Sequence, residues 1–471
     1  MGELYEKLKE YAEADYYPFH MPGHKRRMGQ MCSPYQIDIT EIDGFDNLHH
    51  AEGIIKECEE KAASLYGSEE THLLVNGSTG GILSAIAGCT RRGGKIAVAR
   101  NCHKSVYHAV SINQLQAVCL YPEFLELWGI NGGILPQDVE KLLKEEPDIQ
   151  AVVITSPTYE GIVLDVQAIA KIVHSQNIPL IVDEAHGAHF YFYEKFPRGA
   201  LQCGADVVIN SIHKTLPAFT QTALLHMQGR LVDRGKVRKY LGIYQTSSPS
   251  YVLMAGISQC MQVMEQKGQR LSAQLCENLN DFYEIDKKLE KIHIVTSKIK
   301  EYNSVYDFDI SKLVISTKDT NITGKELKEK LNRIYHLELE MSSLTHVLAM
   351  TSVGDTREGF ERLKAALLKL DGEVEEKETI ILQQEKISGK TVYSIAQAEE
   401  LPQKAIPMEL CCNHISGEFV YMYPPGIPML CPGELITKEI YLQLMEYRRA
   451  GIILQGLEDE ESEKVKVIIQ K

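Results

Sequence analysis

The stretch Val207-Val208-Ile209-Asn210-Ser211-Ile212-His213-Lys214-Thr215 runs from an unbroken apolar segment into a polar cluster that carries one lysine. A short apolar run rich in β-branched residues reads as a strand covered on both faces, of the kind parallel sheets use. In such sheets ligands bind beyond the C-terminal ends of the strands, which is where Lys214 falls. An ammonium held there loses hydration, its pKa drops, and the free amine can attack an aldehyde. Local pattern alone still favours a solvated loop lysine. The rest of the chain decides between the two.

Outward from this stretch the chain alternates. Strands are expected at His72–Val75, Lys95–Ala99, Ala117–Leu120, Ala151–Thr155, Pro179–Val182, Asp206–Asn210 and Ala223–Met227. Helices are expected at Glu52–Tyr66, Gly80–Gly88, His103–Ile112, Gln137–Lys144, Val166–Gln176 and from Tyr251 to about Lys288. Apolar strands alternating with amphipathic helices predict an α/β fold around a mostly parallel seven-stranded sheet. Before it, residues 1–45 read as a helix followed by an irregular segment, since Pro18, Pro22 and Gly23 interrupt any regular element. Beyond about residue 290, strands Ile292–Thr296 and Leu313–Ser316 with a helix at Lys325–Arg333 predict a smaller α/β domain. The expected division is an N-terminal segment 1–45, a large domain 46–290, a small domain 291–375 and a C-terminal domain 376–471. The charged run Gly372–Glu385 marks the last boundary.

The 471 residues carry a formal net charge of -14, which argues against a nucleic-acid partner because phosphate contacts need a basic face. It suits a cationic small substrate, though weakly. The longest apolar runs fall short of a membrane span, and the first residues lack the pattern of a secretion signal, so a cytoplasmic protein without membrane contact is expected. The 11 cysteines are scattered without metal-binding spacing and read as reduced thiols.

Four further stretches carry chemistry. Val75-Asn76-Gly77-Ser78-Thr79-Gly80-Gly81 lies between a strand and a helix; its glycines, hydroxyls and helix N-terminus suit a phosphate, although a plain tight turn would use the same residues. His103, after the Lys95–Ala99 strand, can stack on a planar ring or simply cap the next helix. Asp183, in Ile181-Val182-Asp183-Glu184-Ala185-His186-Gly187-Ala188-His189, stands where a carboxylate could keep a ring nitrogen protonated. A metal site from His186 and His189 lacks further ligands. The letters Asp-Glu-Ala-His also match a helicase box, but the phosphate loop such a box requires is missing upstream. Ser211 and His213 add donors beside Lys214, and Gln245-Thr246-Ser247-Ser248-Pro249-Ser250-Tyr251 can cap the long helix or reach a phosphate. Phosphate cradle, ring-stacking group, ring-nitrogen partner and aldehyde-binding amine together match the needs of pyridoxal 5'-phosphate.

In these stretches, and in Phe19-His20-Met21-Pro22-Gly23-His24-Lys25, Asp38-Ile39-Thr40-Glu41-Ile42-Asp43-Gly44, Ser156-Pro157-Thr158-Tyr159-Glu160-Gly161 and Tyr423-Pro424-Pro425-Gly426-Ile427-Pro428, the chain resembles the ornithine/lysine/arginine decarboxylases. That family belongs to the aspartate-aminotransferase fold group, fold type I of the pyridoxal-phosphate enzymes. The resemblance covers nearly the whole chain. It implies Lys214 as the Schiff-base lysine, Asp183 as partner of the pyridine nitrogen and His103 stacked on the ring. Ser78, Thr79, Gly80, Ser211 and His213 would bind the phosphate, with His186 near the ring. Thr246 or Ser247 would reach the phosphate of a neighbouring subunit in a homodimer. Longer relatives carry an N-terminal wing that drives decamer assembly; the Pro-Gly-His-Lys motif comes too early here to leave room for one. Arg26-Arg27-Met28 departs from the glycine-rich continuation usual in the family.

The activity so implied is decarboxylation of arginine, lysine or ornithine to an amine and CO2, as in polyamine synthesis, with no metal. Lys214 or a nearby histidine would protonate Cα. Glu434 is the expected acceptor for the distal cation of the substrate, with Thr158 also in the substrate site; Glu434 equally suits a helix N-terminus. An aminotransferase, which would need an arginine for the α-carboxylate, and a non-catalytic cofactor-binding protein are the alternatives.

Overall fold

A computed structural model describes residues 3–28, 33–377, 389–422, 426–449 and 454–470. Tyr423–Pro425 of the terminal proline motif and residues 378–385 of the charged run lie outside the described residues.

The large sheet contains β1 (Glu70–Leu74), β2 (Lys95–Ala99), β3 (Gln116–Leu120), β4 (Ile149–Thr155), β5 (Leu180–Asp183), β6 (Val207–Asn210) and β7 (Ala223–Met227). Its spatial order is β1-β7-β6-β5-β4-β2-β3. The pairs along β6-β5-β4-β2-β3 are parallel, whereas β7 runs antiparallel to both β6 and β1. β5 and β6 are buried at every position. Their side chains therefore meet apolar neighbours on both faces, which is why both read as continuous apolar runs rather than alternating ones.

The small-residue helix Gly77–Cys89 lies flat on the middle of this sheet. A Cβ on Gly81 would stand 2.6 Å from Leu74 Cδ1 and 3.2 Å from Ile209 Cγ2, so only glycine admits that approach. Ile54–Tyr66 ends at Gly67 in the left-handed conformation (φ 73°), the stop its glycine suggested. The long helix Tyr251–Tyr283 starts on Ser250, whose side chain accepts from the Leu253 N–H.

A second, four-stranded sheet pairs Lys312–Ser316 antiparallel with His346–Met350, flanked by His293–Ile294 and Met341–Ser342. Helices Gly324–Tyr335 and Arg357–Glu373 accompany it, the first opened by a capping box between Thr323 and Glu326. Nearer the C-terminus, Gln403–Pro407 pairs with Lys464–Ile468, and Val420–Met422 lies between Ile427–Leu430 and Leu454–Gln455.

The irregular segment expected near the N-terminus proves partly regular. Tyr17–Phe19 forms a short parallel strand against Leu337–Leu339. Its partner is remote in sequence, so no local pattern could reveal the pairing. From there the chain turns onto the lysine loop. The Gly23 N–H donates to the His213 carbonyl at 2.7 Å, and a Cβ on Gly23 would stand 2.7 Å from the Leu216 oxygen and 2.9 Å from the Leu216 nitrogen.

Backbone atoms cannot swing aside as a flexible side chain can. Gly23→Ala is expected to destabilise the protein by about 1–3 kcal/mol. A urea titration beside the wild type checks it; an unchanged midpoint would show that the loop yields.

Candidate active site

β6 ends at Asn210, whose Nδ2 donates to the Glu184 carbonyl and to Glu184 Oε2, each at 3.0 Å. This ties the turn after β6 to the turn after its neighbour β5. Ile212–Thr215 then forms one helical turn, and Lys214 projects from it. The Lys214 Nζ donates to His186 Nε2 at 2.9 Å. Burial lowers the proton affinity of the amine, while Asp183 and Glu340 oppose that effect. His186 is buried, and burial together with the Lys214 and Lys312 ammoniums holds its pKa well below the usual imidazole range. A neutral ring is what a lysine donor needs opposite it.

Asp183 and Glu184 are sequence neighbours with different tasks. Glu184 points into the core, where it accepts from Tyr191 Oη at 2.7 Å, the Ala200 N–H at 2.6 Å and Asn210; burial pushes its carboxyl up to about 7. Among the described residues Asp183 accepts only from the Ala185 N–H at 3.1 Å. Burial raises its pKa and Lys214 opposes the rise, so this carboxylate belongs electrically to the lysine site.

At the head of the helix Gly77–Cys89, Ser78 Oγ lies 2.7 Å from Ser211 Oγ, joining the glycine loop to the lysine turn. Thr79 is exposed on the first turn and Gly80 is buried behind it. His213 Nδ1 donates to the Thr222 carbonyl at 2.8 Å, which leaves its Nε2 on the other side of the ring; burial lowers its pKa to about 4. Two hydroxyls and a helix N-terminus meet here, with His213 two residues beyond Ser211, and an anion beside that imidazole would raise its proton affinity.

His103 does cap its helix. Its Nδ1 accepts from the Ser105 N–H at 3.2 Å and contacts Ser105 Oγ at 2.8 Å. Burial lowers its pKa to about 3, with Lys214 the next cause, so the cap also stands within the field of the lysine. The next N–H, that of Lys104, donates to the Gly426 carbonyl, bringing the C-terminal region against this turn. Arg100 secures that contact. Its guanidinium donates to the carbonyls of Pro428 (2.7 Å) and Met429 (3.1 Å) and to Glu434 Oε2 (3.2 Å). Glu434 also accepts from the Cys431 N–H at 2.8 Å through the same Oε2, and it is buried.

Thr158 is buried, and its hydroxyl accepts from the Ile162 N–H at 3.1 Å, pinning the turn after β4. The residue after it, Tyr159, sets its ring edge-to-face on His186 at 4.8 Å between centroids. Thr246 and Ser247 are exposed on the loop between two helices. That loop starts beside the glycine loop, since Asn76 Nδ2 donates to the Tyr244 carbonyl and the Val75 N–H to Gln245 Oε1, each at 2.8 Å. Within one chain Thr246 Oγ1 accepts from the Ser248 N–H at 3.3 Å.

Three groups that the sequence did not single out join the site from other elements: Tyr159, Glu340 and Lys312. Lys312 opens a strand of the second sheet and is completely buried, and burial lowers its pKa to about 8. The signal in the sequence is a lysine that opens the apolar run Leu313-Val314-Ile315.

A family model described as Orn/Lys/Arg decarboxylase, major domain, matches residues 3–320, and one described as Orn/Lys/Arg decarboxylase, C-terminal domain, matches residues 381–457. A protein of Bacillus subtilis named arginine decarboxylase is 31% identical over 477 residues, covering 99% of this chain and 97% of its own. Among solved structures, the constitutive lysine decarboxylase of E. coli superposes with a TM-score of 0.78 at 18% identity, over 100% of this chain and 82% of that one. An alanine–glyoxylate aminotransferase from Nostoc sp. reaches 0.55 at 11% identity, over 67% and 86%. At these identities the two structures show the shared fold, that of the fold type I enzymes.

The His103 ring gives a pH prediction. An unfolded histidine takes up its proton below about pH 6.5, whereas the folded ring does so only near 3. Its contribution to stability is therefore present above pH 6.5 and lost as the pH falls. In the cofactor-free protein, His103→Gln should make the acid-side decline between pH 6.5 and 5 shallower by up to about 1.4 kcal/mol per pH unit. Urea titrations across that range measure it, and parallel curves would refute it.

Proposed function

The chain belongs to the Orn/Lys/Arg decarboxylase family, and from that premise we propose that it decarboxylates a basic L-amino acid, arginine first, with pyridoxal 5'-phosphate as cofactor. The observation that carries this reading is the Lys214–His186 contact at 2.9 Å with Asp183 buried beside it. Arginine is put first because the full-length relative from Bacillus subtilis bears the name arginine decarboxylase.

The residues present fit the cofactor. Ser78 and Ser211, with the helix N-terminus, offer donors to a phosphate. Asp183, buried and accepting a single backbone N–H, suits a cationic ring nitrogen, and His103 covers the turn opposite. The cofactor, when bound, supplies the aldehyde that takes the substrate amine and the electron-poor ring that accepts the electron pair as CO2 leaves.

The chain's own residues do the rest. Asp183 would hold the proton of the ring nitrogen, because leaving a buried carboxylate without a cation opposite it is costly. Lys214, with its proton affinity lowered by burial, gives up a proton more readily than a solvated lysine. His186 accepts the Lys214 hydrogen bond through Nε2 and so orients the amine. The C-terminal region, clamped by Arg100, walls the His103 side of the cleft and limits water there. The overall change is one amino acid to one amine and one CO2, with Cα gaining the proton that replaces the carboxylate. Thr246 and Ser247, exposed in one chain, would complete the phosphate site of a second copy in a homodimer.

Release of CO2 from arginine, lysine and ornithine by the cofactor-loaded protein tests the activity; transamination without CO2, or no turnover, would refute it. Borohydride reduction followed by peptide mass analysis should place the cofactor adduct on Lys214, and Lys214→Ala should abolish both the adduct and the visible absorbance of the lysine-bound cofactor. An adduct on another lysine would overturn that assignment.

A further inference from the structure

The turn that carries the lysine is short of one hydrogen-bond donor. In an α-helix each carbonyl accepts from the N–H four residues on. For His213 that residue is Pro217, which has no N–H, and the Leu216 N–H is already engaged by the Ile212 carbonyl at 2.9 Å. The His213 carbonyl therefore needs a donor from outside the turn. The Gly23 N–H supplies it at 2.7 Å.

That bond fixes the peptide unit leading into Lys214. Its carbonyl half belongs to His213 and meets Gly23. Its N–H half belongs to Lys214 and donates to the Ser211 carbonyl at 3.1 Å. A planar peptide moves as one body, so tilting it would swing the Cα–Cβ direction of Lys214 and with it the amine.

Gly23 is held from its other side by the residues that follow the strand His346–Met350. Ser352 Oγ donates to the Gly23 carbonyl at 2.5 Å. The exchange is reciprocal, since Lys25 Nζ donates to the Met350 carbonyl at 2.7 Å and lies 3.7 Å from Asp355 Oδ2. Ser352 is buried and fixed in its own right: its N–H donates to Asp355 Oδ2 at 2.7 Å, and its Oγ accepts from the Gly354 N–H at 3.0 Å. Asp355 Oδ1 accepts from Tyr17 Oη at 3.1 Å, on the strand that joins the N-terminal segment to Leu337–Leu339. A Cβ on Gly354 would stand 2.7 Å from the Gly23 oxygen, so the two backbones are in close contact.

We propose that Ser352 is a positioning residue for Lys214: through Gly23 it holds the His213–Lys214 peptide, and so the amine, at its place in the cleft. It acts through the two backbone groups of Gly23, one on each side. The proposal rests on Lys214 as the cofactor lysine. A reacting group displaced by about 1 Å loses on the order of 100-fold in rate. Substrate binding does not depend on the Lys214 amine in the same way, so the loss falls on kcat.

The test uses three variants. Ser352→Ala removes the hydroxyl and Ser352→Thr keeps it. Thr351→Val removes a neighbouring buried bond that does not involve Gly23, that of Thr351 Oγ1 to the Ser311 carbonyl at 2.8 Å. In the cofactor-loaded protein Ser352→Ala should lower kcat for CO2 release from arginine by about 10- to 100-fold, with KM changed by less than about threefold. Ser352→Thr should recover most of the rate, and Thr351→Val should match the wild type. A second readout needs no turnover. When pyridoxal 5'-phosphate is mixed with cofactor-free protein, the visible absorbance of the lysine-bound cofactor should rise about tenfold more slowly in Ser352→Ala. If Ser352→Ala does not fold, Ser352→Cys fills the space with a weaker donor and should move both readouts in the same direction. Rates in Ser352→Ala equal to the wild type, or an equal loss in Thr351→Val, overturn the proposal. Slowed attachment in Ser352→Ala without CO2 release in any sample refutes decarboxylation alone. A borohydride adduct on Lys214 with rates indifferent to Ser352 refutes the positioning role alone.

Discussion

The site depends on one constraint: a lysine amine is held at the end of a buried strand, between a buried carboxylate and a neutral imidazole. Removing an ammonium from water is costly unless an opposite charge and a hydrogen-bond acceptor are supplied. Asp183 and His186 supply them from the neighbouring strand's turn. Both turns are locked together by Asn210, which bonds the backbone and side chain of Glu184. Sheet, turn and amine are thus one unit. The lysine's reactivity is a property of the β5–β6 pairing as much as of the residue.

Three remote parts of the chain then close on that unit. The N-terminal segment pairs with the small sheet and lays Gly23 against His213. The small-sheet side brings Lys312 and Glu340. The C-terminal region reaches the His103 turn through Lys104 and Arg100. These contacts are made by backbone groups, by the Arg100–Glu434 pair and by the Tyr159 hydroxyl on Glu340.

Glu434 illustrates the difference between a residue type and its commitment. An acidic group near the terminal proline motif is a reasonable partner for a substrate cation. In the fold its carboxylate meets Arg100 and the Cys431 N–H, and the Pro428 and Met429 carbonyls share the same guanidinium. A buried arginine must have such partners. Arg100 follows a buried strand as an unremarkable basic residue, and nothing local announces that it will be enclosed.

The alternation of apolar strands and amphipathic helices was enough to specify a mostly parallel seven-stranded sheet, because strand burial on two faces writes itself as unbroken apolar runs. It was also enough to bring Ser78, Asp183, His103 and Lys214 into view, since ligand crevices form at strand C-termini and those residues sit at them. The antiparallel sense of β7 was not legible, as an apolar strand reads the same in either direction. Nor was the strand Tyr17–Phe19, whose partner lies more than 300 residues away. Lys312 and Glu340 were hidden for the same reason, as was the contact of Tyr159 with His186. Each enters the site through contacts between segments far apart in the chain, and such contacts leave no periodicity in either segment. Residue type and spacing determined the inventory of the chemistry; only the tertiary packing decided which of those groups meet and which charges are already paired.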